Sequence, residues 1–397
     1  ARHDFPLAHN PEADLFLGAS DHLVYPMGSF LAGRLDEVKI FPRALAPREI
    51  AALRHGAIPV EMTETVDGNC PGVITRVWTA TDHCGNTASA TQTITIAAAP
   101  GPADWFVVPD GNDSAAGNSW DTAKRTIQAA IEAASAGDTV WVGNGIYSGA
   151  GNRDLSFLGK GLTVRSLNGA EQTIVDCEAA GRGFSFHAAE PPEAVLSGFT
   201  IRNGHAANGG AIFCSARPTI EHCVIVSNQV LTTTGAPFHR SGAGIYVEGA
   251  GANPTIRNCR ILHNDADRIA PVPGVTANGG GIAVMSGASA WIESCEVAGN
   301  RVMYGGGGIY IEGPGVTVVN SIIQGNESAY WGGGVHCQNN ATAEASRLIN
   351  CLITGNTSLG VGGGIATYSG LVAENCTIHG NYGWRGGGIY SWPNARP

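Results

Sequence analysis

From Gly209 onward the apolar positions of this chain come in short runs with a variable residue between two apolar ones. These are Ile212-Phe213-Cys214, Ile245-Tyr246-Val247, Ile282-Ala283-Val284, Ile309-Tyr310-Ile311 and Val335-His336-Cys337. Period-two alternation puts the outer two residues of each run on one face and the middle one on the other, the signature of short β-strands. A glycine cluster precedes each run: Gly209-Gly210-Ala211, Gly242-Ala243-Gly244, Gly279-Gly280-Gly281, and the triplets starting at Gly306, Gly332, Gly362 and Gly386. Between successive clusters lies a second signal, Asn-Cys or a near relative, with an Asn five residues after the Cys position. It reads His222-Cys223 to Asn228, Asn258-Cys259 to Asn264, Ser294-Cys295 to Asn300, Asn320-Ser321 to Asn326, Asn350-Cys351 to Asn356 and Asn375-Cys376 to Asn381. Two signals in fixed order define a structural repeat, which takes precedence over any other reading of fold. A phosphate-cradling glycine loop occurs once, ahead of a helix, whereas this one recurs ahead of strands.

The closing Asn residues are spaced 36, 36, 26, 30 and 25 apart. The shortest spacing is the basic coil, and the longer ones place insertions at 229–241 and 265–278, both just before the glycine cluster. Stacked coils make columns of like residues about 4.8 Å apart. Ile212, Ile245, Ile282, Ile309, Val335, Ile365 and Ile389 form one inward column, and Cys223, Cys259, Cys295, Cys351 and Cys376 another, with Ser321 standing in once. Buried Cys acts as a small hydrophobe, and no C-x-x-C spacing points to a metal. The Asn column reads as stacked side-chain amides that also bond turn backbone.

Upstream, Phe106-Val107-Val108 predicts a strand, Asp110-Gly111-Asn112-Asp113 a turn, Ala123 to Ser135 a helix stopped by Gly137, and Thr139 to Val142 a strand. With Gly145-Ile146-Tyr147 this order resembles the entry of right-handed parallel β-helices of the pectate-lyase-like superfamily, in which the helix caps the open end of the solenoid. The glycine and Asn signals resemble the repeats of polymorphic outer-membrane proteins, secreted adhesins whose pattern ends Phe-x-x-Asn. Here an aliphatic residue takes the Phe position. The fold class expected is therefore all-β: a right-handed parallel β-helix with an N-terminal capping helix, preceded by small β-sandwich-type modules.

Those modules occupy the first 99 residues. Gly33 to Phe41 and Arg43 to Leu53 resemble the closing strand and turn of concanavalin A-like (laminin-G-like) jelly rolls, so 1–56 reads as the C-terminal part of one. Val73 to Asp82 and Ala88 to Ile96 predict two strands rich in Thr and Val. Residues 57–99, around Thr75 to Asn86, resemble hyalin-repeat and related immunoglobulin-like modules, with Cys70 and Cys84 the expected disulfide. Such a bond belongs to an oxidising compartment. Residues 100–104 read as a linker and 105–397 as the β-helix, ending inside a coil, so the chain reads as a piece of a longer polypeptide.

Composition narrows the function. Gly makes up 56 of 397 residues, and charged residues 14% against the usual ~25%. The net charge is -10 with only three lysines, which leaves no basic stripe for nucleic acid. No apolar run approaches the ~20 residues of a membrane-spanning helix.

Binding chemistry is sought on the outward positions. Phe213, Tyr246, Tyr310 and Tyr390 stand one residue after the inward column, and Tyr304, Tyr330, Trp331 and Trp384 lie at the turn before the glycine cluster. Aromatic faces on a flat ladder suit sugar rings or a protein partner, and cross-strand stacking that merely stiffens the sheet is the competing reading. Three places after the inward residue lie Glu248 and Glu312, two rungs or roughly 9.6 Å apart, near the upper limit for an inverting glycosidase pair. They are the catalytic candidates, against ordinary solvated charges. Asp110, Asn112 and Asp113 are candidate oxygen ligands for a structural Ca²⁺, against a plain Asx turn. No other cofactor is expected. The sequence reads as a non-catalytic extracellular or cell-surface bacterial protein, adhesive or stalk-like, with a glycan or protein as partner. A secreted polysaccharide lyase or glycoside hydrolase, and a self-associating filament subunit, are the alternatives.

Overall fold

The computed structural model describes residues 60–67, 72–81, 85–96, 101–230, 239–266, 276–338, 344–368 and 370–392. The jelly-roll segment 1–56 and the Cys70–Cys84 pair lie outside the described residues. The chain divides into two units, Ala1–Ala99 and Pro100–Pro397. In the first, Val60–Asp67, Gly72–Thr81 and Thr87–Ile96 form an antiparallel sheet in sequence order. The latter two strands match the Thr- and Val-rich runs. Val60–Asp67 is an additional, fully exposed strand paired from Val60 opposite Ala80.

The second unit is a parallel β-solenoid. One sheet of 9 strands runs from Leu155–Ser156 through Ile212–Cys214, Ile245–Val247, Ile282–Val284, Ile309–Ile311, Val335–Cys337 and Ile365–Thr367 to Ile389–Ser391. A second, of 10 strands, starts at Asp104–Val107, and a third, of 9, at Gly145–Tyr147. Consecutive strands enter different sheets, and each pairs in parallel with its counterpart one coil away, Ile212 opposite Ile245 and Ile245 opposite Ile282. A short fourth sheet, Arg301–Val302, Glu327–Ser328, Thr357–Val361 and Tyr382–Arg385, lines the corner ahead of the glycine clusters.

Each coil turns at residues in the left-handed region, and this explains the repeat. Asn258, Asn320, Asn350 and Asn375, with His222 and Ser294, take φ between 51° and 53° at the corner between the second and third sheets. Asn tolerates that conformation better than other side chains. The residue before each closing Asn does the same, and so does the first glycine of each cluster, as at Gly279 (φ 65°). The second glycine answers a different demand. A Cβ on Gly280 would lie 2.5 Å from the Arg301 carbonyl oxygen and 2.6 Å from that of Gly307.

The inward columns meet in one continuous core that includes Ile245, Ile282, Ile309, Ile256, Ile292, Ile261 and Val297, all fully buried. Ile389, in the last described rung, is 51% exposed, because no described strand lies beyond it. The Cys column is buried from Cys223 to Cys351, with Cys376 half-buried near the last described coil, and it does more than fill space. Cys259 and Cys295 Sγ donate to the carbonyls of Arg257 (3.3 Å) and Glu293 (3.2 Å), two residues back. Ser321 Oγ makes the same bond to Val319 at 2.8 Å, so the site wants a small donor. The closing Asn residues bond along their column: Asn264 Nδ2 donates to Asn300 Oδ1 (2.9 Å) and to the Ile225 carbonyl (3.0 Å), and its backbone N–H also reaches Asn300 Oδ1 (3.0 Å).

The N-terminal helix is shorter than the periodicity suggests, Ile127–Ala133 rather than Ala123 to Ser135. Its first turn is pre-empted: Asp113 Oδ1 accepts the N–H groups of Arg125 (2.9 Å) and Thr126 (2.8 Å), which leaves Thr126 extended as N-cap. Its last turn ends before Gly137, at Ala134, whose ψ is 153°. Ile127, Ala130 and Ile131 are buried in the core cluster beside Val107 and Val140.

Candidate functional site

The middle residues of the first sheet's strands stack in register as Phe213, Tyr246, Ala283, Tyr310, His336, Ala366 and Tyr390. Strand alternation correctly turns them away from the core. It does not make them an exposed ladder, because Tyr246 (5% exposed), Tyr310 (3%) and His336 (0%) are buried. Walls rise on both sides of the sheet. One is the corner ahead of the glycine clusters, bridged from Asn278 through Gly305 to Trp331 and Val361. The other is the turn that follows each strand.

Between the walls lies a cleft of about 520 Å³ lined by Tyr246, Tyr304, Tyr310 and Trp331, by Glu248 and Glu312, and by Asn278, Met285, Ser286 and Gln338. Tyr246 Oη donates to Glu248 Oε2 at 2.9 Å, and Tyr310 Oη to Gln338 Oε1 at 2.9 Å. Burial raises both phenols above their ordinary range, and the neighbouring Glu248 raises Tyr246 further, so both hydroxyls stay protonated donors. Glu248 and Glu312 remain half-buried. The ladder registers Tyr246, Ala283 and Tyr310 as successive rungs, so the two carboxylates stand two steps apart with Met285 between.

The structure thus brings Tyr246, Tyr304, Tyr310, Trp331, Glu248 and Glu312 to one cleft. Phe213 lies beside it, stacked on Tyr246 at 5.8 Å under the Arg182 guanidinium. Tyr330 stacks on Tyr304 at 5.3 Å but faces solvent. Trp384, 68% exposed, carries the Arg385 guanidinium 4.6 Å above its ring. Tyr390 packs edge-on to Trp392. Met285 and Gln338 could be found from their place three residues after the inward column, whereas Asn278 and Ser286 carry no sequence signal.

His336 sits beneath this site. Its ring packs against Tyr310 (5.4 Å), Trp331 (5.5 Å), Tyr368 (6.1 Å) and Trp392 (6.3 Å), and neither ring nitrogen has a hydrogen-bond partner. Burial pulls its pKa down from 6.5 to about 3, so it is neutral at physiological pH. Elsewhere, Asp113 spends its carboxylate on Arg125 and Thr126, Asn112 Oδ1 accepts the Ser114 N–H (3.0 Å), and Asp110 is exposed. Among the described residues no group of three or more His, Cys, Asp or Glu is placed to hold a metal ion.

A family model described as a right-handed β-helix region matches residues 229–382. That match takes in the first-sheet strands from Ile245–Val247 to Ile365–Thr367 and the glycine clusters that precede them. The chain is also similar to the solved structure of pectate lyase Pel9A, at 12% identity over 75% of this chain and 79% of that one, with a TM-score of 0.48. It is similar to a rhamnogalacturonan lyase at 13% identity over 70% of this chain and 75% of that one, with a TM-score of 0.38. No curated protein matches the sequence. No described helix is long and apolar enough to cross a membrane.

Proposed function

We propose that this is a non-catalytic extracellular bacterial surface protein whose β-helix presents a glycan-binding cleft. The observation that carries the reading is the convergence of Tyr246, Tyr304, Tyr310 and Trp331 with Glu248, Glu312 and Gln338 around one cavity. Aromatic rings offer flat apolar faces to sugar rings, and a few placed polar groups orient a ligand through its hydroxyls. Trp331 is half-buried and ordered against His336 and Tyr304, so ligand contact costs it little rotamer entropy. The extracellular placement rests on the resemblance of residues 57–99 to modules of secreted proteins. The test is retention on a glycan array followed by titration of the retained glycan. Trp331→Ala should abolish retention with an unchanged circular dichroism spectrum, and undiminished retention by that variant would remove the cleft from the argument.

A second reading has an observation of its own, since Glu248 and Glu312 line the same cleft. Their rung separation, roughly 9.6 Å, stands at the upper edge of the range for glycoside hydrolysis with inversion. Reducing ends released from a retained glycan by the wild type, and not by Glu248→Gln or Glu312→Gln, would establish it in place of the non-catalytic reading.

A further inference from the structure

Resting on the glycan reading, we propose that the cleft selects a saccharide carrying a protonated amine, that is, an amino sugar whose amino group is free. The argument begins from which carboxylates on this surface are neutralised. Asp176, Glu178, Glu221, Glu296, Glu327 and Glu374 each pair with an arginine at 2.5–3.7 Å. Among the described residues, Glu248 and Glu312 have no basic partner, and no Lys, Arg or His lines the cleft they share. Two half-buried carboxylates that face one cavity without a counter-charge attract a cation, and low-dielectric walls focus that attraction. The net charge of -10 adds to it and opposes acidic polymers such as polyuronates.

The aromatic lining points the same way. Tyr304 and Trp331 stay partly exposed in the lining, above the buried Tyr246 and Tyr310, and a cation held over an aromatic face is stabilised by the ring quadrupole. The same rings stack on a pyranose, so an ammonium attached to a sugar uses both features at once. The Tyr246 hydroxyl anchors Glu248 through Oε2, which leaves Oε1 to accept from the ammonium. Gln338 has its Oε1 engaged by Tyr310, which leaves its Nε2 to donate to a ring hydroxyl. An N-acetylated sugar keeps the stacking and hydroxyl bonds but has no charge to meet the carboxylates.

Calorimetric titration of the whole chain with three oligosaccharides of equal length tests this: a glucosamine oligomer, its N-acetylated counterpart and an oligogalacturonate. The glucosamine oligomer should bind at least about tenfold tighter than the N-acetylated one, with affinity that falls as salt rises. The double variant Glu248→Gln, Glu312→Gln should lose that preference and the salt dependence while still binding. Equal or tighter binding of the N-acetylated oligomer, Trp331-dependent binding of oligogalacturonate, or displacement of the glucosamine oligomer by a lower concentration of a lysine-rich peptide would overturn the proposal. If none of the three is held, or all are held equally by Trp331→Ala, the glycan reading itself falls and takes this inference with it.

Discussion

Replacing Asn300 with alanine should be among the most damaging single changes in the solenoid. The Asn300 side chain is fully buried and makes four hydrogen bonds: Oδ1 accepts the Asn264 backbone N–H (3.0 Å) and Asn264 Nδ2 (2.9 Å), while Nδ2 donates to the Ile261 carbonyl (2.8 Å) and to Asn326 Oδ1 (2.9 Å). In the alanine variant the buried Asn264 N–H loses its acceptor, which costs about 1–3 kcal/mol, and three further bonds worth about 1 kcal/mol each disappear, partly offset by relaxation. The expected loss is about 3–5 kcal/mol. Urea denaturation followed by tryptophan fluorescence gives the magnitude. Because solenoid stability is a sum over coils and their interfaces, amide exchange should accelerate first in the coils that carry Asn264 and Asn326. The control is Asn320→Ala, at an exposed left-handed corner, which should cost only about 1–2 kcal/mol. A loss below about 1 kcal/mol for Asn300→Ala, or one no larger than the control, would refute the assignment of the amide ladder as a stabilising element.

Two further changes probe the glycine corner and the base of the cleft. Gly280→Ala pushes a methyl against two backbone carbonyls of the next coil and should lower the urea midpoint by the equivalent of about 2–3 kcal/mol. Gly325→Ala, where a Cβ meets nothing within 4 Å, should cost only the left-handed strain of about 1 kcal/mol; equal effects would contradict the packing account. His336 is neutral in the fold down to about pH 3 but takes up a proton in the unfolded chain below 6.5. Its contribution is therefore fully present above 6.5 and is lost as pH falls toward 3. Between pH 7 and 5 the wild type should lose about 2 kcal/mol more than His336→Leu, and parallel stability curves for the two would show that the ring titrates normally.

The repeat, the parallel stacking and the identity of the inward columns were legible in the residues because they follow from local rules. Alternation names the buried face, and a glycine or Asn recurring at one place marks a corner whose backbone other residues tolerate poorly. The Asn column could be assigned a structural role for the same reason: a buried amide at every coil can satisfy itself only through its neighbours. The helix Ile127–Ala133 was legible in its apolar face but not in its ends, because the Asp113 carboxylate that claims the Arg125 and Thr126 amides lies 12 and 13 residues away.

The site was a matter for tertiary structure. Alternation says that Tyr246, Tyr310 and His336 point away from the core, and they do. It cannot say that the corner at Asn278, Gly305 and Trp331 and the turns at Glu248 and Glu312 rise beside them and make a covered floor out of an expected open face. Period two distinguishes the two faces of a strand, and the height of whatever stands beside the strand is outside its reach. For the same reason the pairing of charges could be read only from the fold. Glu221 and Arg257 meet across rungs and neutralise each other, while Glu248 and Glu312, at equally regular positions, are left facing a cavity without a cation among the described residues.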